Sequence, residues 1–373
     1  MKLGILCYPT SGGSGVVATE LGAALAARGH EVHVVSYRKP FRAVGPASER
    51  FHFHKVELPV YPLFEYPSYG LAAAALMARV ADERELDVLH VHYAYPHAVS
   101  AYLARRMSRR RGLKIVTTLH GTDIMLVRQD ESFASLTRFG ILESDAVTAV
   151  SAFLRDTTRT WFDIRKKIDV IPNFVDAQRF KPAGARMPGP FRIVHVSNFR
   201  PVKRPLDAVK AFCILRKSHE AKLKMIGVGP EQRTARALAR KLGVLADIEF
   251  TGEERQVERL LAESDALLST SEFEGFGLAP LEAMAAGLPV VATKAGGISE
   301  VVKDGVTGRL ADVGDVEGLA GLLGDLIDKP LAARRQGEAG RKRATREFGL
   351  ERVVPLYEAV YERLVRSRAV ARA

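Results

Sequence analysis

Two carboxylates eight residues apart carry the sharpest chemical signal in this chain, Glu274 and Glu282 in the run Ser271-Glu272-Phe273-Glu274-Gly275-Phe276-Gly277-Leu278-Ala279-Pro280-Leu281-Glu282. Glu274 falls in a glycine-containing loop. Pro280 suits a helix start, which places Glu282 in the first turn, where acids are favoured. Free N–H groups at such a start suit a diphosphate, and a nearby carboxylate can accept hydrogen bonds from ribose hydroxyls. The plainer alternative makes Glu282 a partner of the helix dipole. A second group is Val196-Ser197-Asn198-Phe199-Arg200-Pro201-Val202-Lys203-Arg204, at the end of an apolar strand. Lys203 there can neutralise a departing diphosphate; otherwise it is a lysine exposed at a helix start.

A third group, Gly12-Gly13-Ser14-Gly15, lacks the side chains that would keep backbone amides from an anion at the following helix. Gly13-Ser14-Gly15-Val16-Val17-Ala18 also satisfies a relaxed dinucleotide fingerprint. That match is read as accidental. Pro9 and further residues separate the strand from the glycines, and the second strand ends at Ser36-Tyr37-Arg38 without the ribose-binding acid. Arg38 keeps a reductase using a phosphorylated dinucleotide as the rival enzyme reading. The fourth group is Thr117-Thr118-Leu119-His120-Gly121-Thr122-Asp123, a strand end carrying a histidine. His90 and His92 share one strand face, as do His52 and His54, a spacing that a metal site could use. With no cysteine or acidic cluster beside them, no metal is expected, and His52 and His54 are read as polar positions on an edge strand.

These groups need elements to hold them. Leu3 to Cys7 reads as a strand, Val16 to Arg28 as a helix stopped by Gly29, and Glu31 to Tyr37 as a second strand. Further apolar runs at 88–91, 115–119 and 146–150 alternate with helical stretches at 71–85 and 132–143. This alternation predicts a parallel sheet covered on both faces. The proline- and glycine-rich stretch from Lys181 to Pro190 reads as a linker. The pattern then restarts with strands at 191–196, 222–226, 248–250, 266–269 and 290–292. The expectation is α/β throughout, with two doubly wound domains. Residues 1–172 form the first and 173–349 the second, and a last helix at about 350–373 crosses back to the first. Their strand ends would face one interdomain cleft.

At 373 residues the chain has room for two such cores. Hydrophobic content of 47% with 26% charged residues is the balance of a globular protein without a membrane span. A formal charge of +12 suits nucleic acid, an acidic membrane or small anions. Arg105-Arg106, Arg109-Arg110-Arg111 and Arg341-Lys342-Arg343 read as solvated helix faces without interleaved aromatics, so neither a nucleic-acid partner nor stable membrane association is expected. Cys7 and Cys213 read as free buried thiols. The opening Met1-Lys2-Leu3-Gly4-Ile5-Leu6-Cys7 lacks a secretory leader, which points to the cytoplasm.

The run from Glu274 to Glu282, with Gly287-Leu288-Pro289-Val290, Gly296-Gly297-Ile298-Ser299-Glu300 and Asp304-Gly305-Val306-Thr307-Gly308, resembles the E-x7-E signature of retaining glycosyltransferases with the GT-B fold. The resemblance implies that Glu282 binds the nucleotide ribose and that Glu274 lies by the donor sugar and the reacting diphosphate. The amides of Gly275, Phe276, Gly277 and Leu278 would cradle that sugar and phosphate. It further implies that His120 is an active-site histidine. Where the family has Gly-Arg, this chain has Ser197-Asn198. Lys203, joined by Arg204, is then the main phosphate cation, and Asn198 is a neutral hydrogen-bonding group.

Cys7-Tyr8-Pro9, Phe51-His52-Phe53-His54, Tyr66-Pro67 and His92-Tyr93-Ala94-Tyr95-Pro96-His97, with the groups above, resemble one subgroup of that family across nearly the whole chain. That subgroup joins N-acetylglucosamine from UDP-N-acetylglucosamine to the hydroxyl of L-malate, the first step of bacillithiol synthesis. The likeness implies that Gly13, Ser14, Tyr93 and Thr117 contact malate or the reacting groups, with Arg138 as a carboxylate partner. No metal or other cofactor is implied, and a homo-oligomer is left open. A GT-B enzyme with another small acceptor and a non-catalytic sugar-nucleotide-binding protein stand as alternatives.

Overall fold

The computed structural model describes residues 1–9, 13–39, 49–58, 68–125, 130–182, 184 and 189–370, and side chains as far as Arg366. Ser11, Gly12, Tyr66, Pro67 and much of the linker stretch lie outside these residues. The chain divides into two compact units, residues 1–172 with 353–373 and residues 173–352.

The first unit runs β1 (Lys2–Leu6), α1 (Gly13–Ala27), β2 (Glu31–Ser36), β3 (Phe51–Lys55), α2 (Tyr69–Arg84), β4 (Val88–His92) and α3 (Val99–Met107). It continues through β5 (Lys114–Leu119), α4 (Thr122–Met125), α5 (Glu131–Glu143), β6 (Ala146–Ala149), α6 (Ala152–Phe162) and β7 (Ile168–Val170). All seven strands are parallel, in the order β3-β2-β1-β4-β5-β6-β7. Runs such as Val88-Leu89-His90-Val91-His92 are buried on both faces, as a sheet covered by helices requires. Leu6, Val35, Leu89 and Ile115 pack with Ala73, Met77 and Ala101 of the covering helices in one core. A side-chain cap starts α6, where Ser151 Oγ accepts from the Leu154 amide at 3.0 Å.

The second unit comprises β8 (Phe191–Val196), α7 (Pro205–Leu215), β9 (Ala221–Ile226), α8 (Gln232–Lys241), β10 (Ile248–Gly252), α9 (Val257–Ala262) and β11 (Ala266–Ser269). After these come α10 (Leu278–Ala285), β12 (Val290–Thr293), α11 (Ile298–Val301), β13 (Gly308–Ala311), α12 (Val316–Asp328) and α13 (Pro330–Phe348). Its six strands are parallel in the order β10-β9-β8-β11-β12-β13. Phe199, Phe212, Leu223, Met225 and Leu268 are central to its core.

The last helix, α14 (Leu350–Val370), belongs to the first unit from Val353 onward. Tyr357 and Tyr361 are wholly buried, and the Tyr361 hydroxyl lies 2.7 Å from His90 Nδ1. Glu358 accepts from Arg28 Nε at 3.0 Å, and Arg363 donates to Asp169 at 2.8 Å.

Two expectations change here. Several arginines expected on solvated helix faces are structural clips. Arg105 donates to Asp145 and to the Glu143 carbonyl, and Arg110 to Asp87 and the Leu86 carbonyl. Arg341 reaches the carbonyls of Phe180 and Ala285, and Arg343 those of Val301 and Glu300. A guanidinium with five donors serves carbonyls at helix ends and turns that lack an onward helical partner. Cys7 is buried and free, but Cys213, also free, is only half-buried. No helix among the described residues is long and apolar enough to cross a membrane.

Candidate active site

In an open parallel sheet, ligands bind beyond the carboxyl ends of the strands at the point where the strand order reverses. That point lies between β1 and β4 in the first sheet and between β8 and β11 in the second. Both are occupied by residues singled out from the sequence.

In the second unit, the segment after β8 forms a short 3₁₀ turn, Pro201–Lys203, and Arg204 then adopts a left-handed conformation (φ 47°) that lets Pro205 open α7. Thr270, just past β11, fixes this turn by donating to the carbonyls of Lys203 and Arg204 at 3.0 and 2.9 Å. Lys203 Nζ consequently meets Glu274 Oε1 at 2.5 Å, and Ser271 Oγ donates to the same oxygen at 2.9 Å. The two side chains stay 23% and 17% exposed, open enough for a ligand to replace one partner of the pair.

Around this pair the backbone is tightly shaped. Gly277 holds φ 103°, a value strained for any residue with a Cβ, and from it α10 starts at Leu278. Gly297 donates its amide to the Glu274 carbonyl at 2.9 Å, and a Cβ on Gly297 would lie 2.4 Å from the Gly275 carbonyl oxygen. Phe276 is anchored in the core with its ring edge-on to Phe348 at 5.6 Å. Glu282 is 4% exposed on α10, and because that helix starts at Leu278 and not at Pro280, it stands in the second turn and not in the first as its sequence position suggested. Asn198 Oδ1 is shielded from solvent with no partner among the described residues, an orphan acceptor that a donor group of a ligand would satisfy. Arg204 is committed to Asp207 at 2.6 Å, with Glu272 at 3.7 Å. Burial lowers the His195 pKa to about 4, and the nearby Lys203 charge acts the same way, so this ring enters the site neutral.

In the first unit, Gly13 opens α1, a helix of 15 residues with no acid in its first turn. Ser14 Oγ lies 2.5 Å from the Tyr93 hydroxyl, joining the segments that follow β1 and β4. Tyr93 has φ 93°, an unusual conformation for a tyrosine that aims its ring at this point. His120 Nε2 lies 2.8 Å from His92 Nδ1, and the rings stack at 5.0 Å. Burial pushes the His120 pKa down to about 3 and that of His92 well below normal. Both are therefore neutral near pH 7, and one proton is shared along the pair.

Asp123 received no role from the sequence, yet it organises this end of the unit. At 3% exposure it accepts from the amides of His120 at 3.1 Å, Gly121 at 3.0 Å and Ala94 at 2.9 Å, tying the segment after β4 to the one after β5. Burial raises its pKa to about 6 against the opposing pull of those amides.

Two residues expected at the acceptor have protein partners of their own. Thr117 is wholly buried, and its hydroxyl lies 2.7 Å from Ser144 Oγ, which in turn donates to the Gly140 carbonyl. Strand alternation turns Thr117 toward α5, away from the face that carries Thr118 and His90. Arg138 lies on the exposed side of α5 and donates from Nε to the Phe162 carbonyl at 3.1 Å, closing the end of α6. His90 is also taken, by Thr118 Oγ1 at 2.7 Å and by Tyr361.

Comparison with known proteins agrees with this division. Residues 11–179 match the family described as Glycosyltransferase Family 4, and residues 176–343 match Glycosyl transferases group 1. The N-acetyl-alpha-D-glucosaminyl L-malate synthase of Bacillus anthracis is 44% identical over 98% of both chains. Among solved structures, sucrose-phosphate synthase from Thermosynechococcus elongatus superposes with a TM-score of 0.84 at 19% identity, covering 98% of this chain and 99% of that one. Anabaena Alr3699/HepE in complex with UDP and glucose gives 0.79 at 19% identity over 97% and 99%. These structures show the fold, and the full-length relative shows the family. The chain belongs to the GT-B glycosyltransferases that combine these two family units, and it is a glycosyltransferase enzyme.

Proposed function

We propose that the enzyme transfers N-acetylglucosamine from UDP-N-acetylglucosamine to the hydroxyl of L-malate, with retention at the anomeric carbon, in the cytoplasm, as the first step of bacillithiol synthesis. The observation that carries the substrate choice is the end-to-end identity of 44% with the Bacillus anthracis synthase. On this reading the second unit holds the donor. Glu282 accepts from the ribose hydroxyls, and the amides of Gly275, Phe276, Gly277 and Leu278 take the diphosphate and sugar. Lys203 then exchanges its partner Glu274 for the phosphate oxygens. The first unit holds the acceptor through the positive end of α1, Gly13, Ser14 and Tyr93, with His120 as a neutral hydrogen-bonding group at the sugar.

In the reaction, the malate hydroxyl oxygen forms the new bond to the anomeric carbon while the bond from that carbon to the UDP oxygen breaks. The electron pair leaves with UDP, and the hydroxyl proton passes to the departing phosphate oxygen. No protein nucleophile is required when attack and departure share one face. Lys203 stabilises the charge that develops on the leaving group, a term that acts in the transition state more than in the ground state.

The test is UDP release from UDP-N-acetylglucosamine by the purified protein. The reading predicts release on addition of L-malate, together with an α-linked product. Release with inositol phosphate and none with malate would transfer the assignment to another acceptor.

A further inference from the structure

The edge of the first sheet, two strands from that sheet's switch point, carries a cluster that the glycosyl-transfer reading does not use. β2 contributes Glu31 and His33, two residues apart and therefore on one face. β3 contributes His52 and His54 in the same way, and the parallel register sets His33 opposite His52 and Val35 opposite His54. One ligand atom each from Glu31, His33 and His52 lies within 4.8 Å of the others. His33 is wholly buried, and its ring stacks on that of His52 at 4.7 Å with 18° between the planes.

We infer that Glu31, His33 and His52 form a binding site for one divalent transition-metal ion of the zinc class, clamping the edge strand β3 to β2. Two imidazoles and a carboxylate are the donor set that zinc accepts when one coordination position stays with water. Ligands of a tetrahedral zinc ion stand roughly 3.3 Å apart, given bond lengths of about 2.0–2.1 Å. His33 Nε2 and Glu31 Oε1 are already 3.0 Å apart. The remaining contraction falls on Glu31 and His52, both half-exposed and free to adjust.

His54 completes the arrangement from behind. Its Nε2 lies 2.9 Å from His33 Nδ1. A metal on His33 Nε2 forces the ring proton onto Nδ1, which then donates to His54 Nε2, the outer support that metal-bound histidines ordinarily have. No net proton is needed beyond the tautomeric shift of the two rings. Among the described residues β3 has a strand neighbour on one side only, which is where a cross-strand clamp has most to add.

The experiment uses the full chain stripped with a chelator, titrated with Zn²⁺ by calorimetry and with Co²⁺ by visible absorption. The site predicts one Zn²⁺ per chain, a tetrahedral Co²⁺ band, and a thermal midpoint raised by Zn²⁺. Glu31→Gln and His52→Gln each weaken Zn²⁺ binding by at least about tenfold and abolish the stabilisation. His54→Gln, removing outer support alone, weakens it less. Circular dichroism of the metal-free variants checks that they fold as the parent does. Absence of Zn²⁺ binding to the parent, or parent-like binding by both ligand variants, overturns the proposal and leaves the cluster a hydrogen-bonded strand edge.

Discussion

Ser14 with Tyr93 and Lys203 with Glu274 occupy corresponding places, each pair drawn from the segments that follow the two strands flanking a switch point. Both pairs are 2.5 Å apart. One is two neutral hydroxyls, the other an ammonium and a carboxylate. Their surroundings follow suit. The first unit places His90, His92, His97 and His120 in or near its sheet, all with pKa values lowered chiefly by burial. The second follows its lysine with a further ion pair, Arg204 to Asp207. One backbone plan has been given two electrostatic characters. A departing diphosphate needs a cation, whereas a hydroxyl acceptor needs directed neutral contacts and the partial charge of a helix end.

The largest effect that would sharpen this contrast is on turnover. Lys203→Ala removes the cation that the proposed function sets beside the leaving group, and kcat should fall by about 10²–10³-fold, the scale seen when one transition-state donor is lost. Near-normal turnover in a UDP-release assay would erase the distinction between the units.

Next in size is the response to acid. The unfolded histidines protonate near pH 6.5, whereas in the folded chain His90 and His120 do so at about 3 and His97 at about 4. Between these values the unfolded state binds more protons, so stability is full above pH 6.5 and is lost as the pH falls toward 4. Asp123 works in the opposite sense, its raised value favouring the folded state as acid is added, but it is one group against several. The second unit has His195 as its lowered histidine among the described residues. Hydrogen exchange at pH 7 and pH 5 should show protection of β4 and β5 falling more than that of β8 and β9. Equal losses would contradict the division.

Smaller effects separate binding roles. Glu282→Ala should weaken UDP binding by about tenfold, the worth of a charge-assisted hydrogen bond, with the thermal midpoint close to the parent's. Unchanged UDP affinity would remove its ribose role. Tyr93→Phe deletes a single neutral hydroxyl, and the KM for the acceptor should rise by about fivefold. A change confined to the nucleotide sugar would place Tyr93 on the wrong substrate.

Much of the scaffold was legible because buried parallel strands are written as β-branched runs and glycines punctuate the helices. The strands β7 and β13 escaped because three or four residues carry almost no periodicity, and β13 begins at Gly308, which reads as a turn. At the site, Glu274, Glu282 and Lys203 stood out by residue type in their local runs. Their assembly across 71 positions of sequence did not, since pairing depends on strand order. Asp123 was passed over because its importance lies in burial and three backbone amides, neither visible in residue type. Thr117 and Arg138 carry the converse ambiguity. A threonine on a central strand and an arginine on a helix can serve packing and carbonyls as readily as a substrate.

The division of charge between the units is tested most directly by titrating UDP calorimetrically into Lys203→Ala and Ser14→Ala beside the parent. The account predicts that the lysine variant loses most of its affinity while the serine variant binds as the parent does. Parent-like binding by Lys203→Ala, or a loss confined to Ser14→Ala, would contradict it.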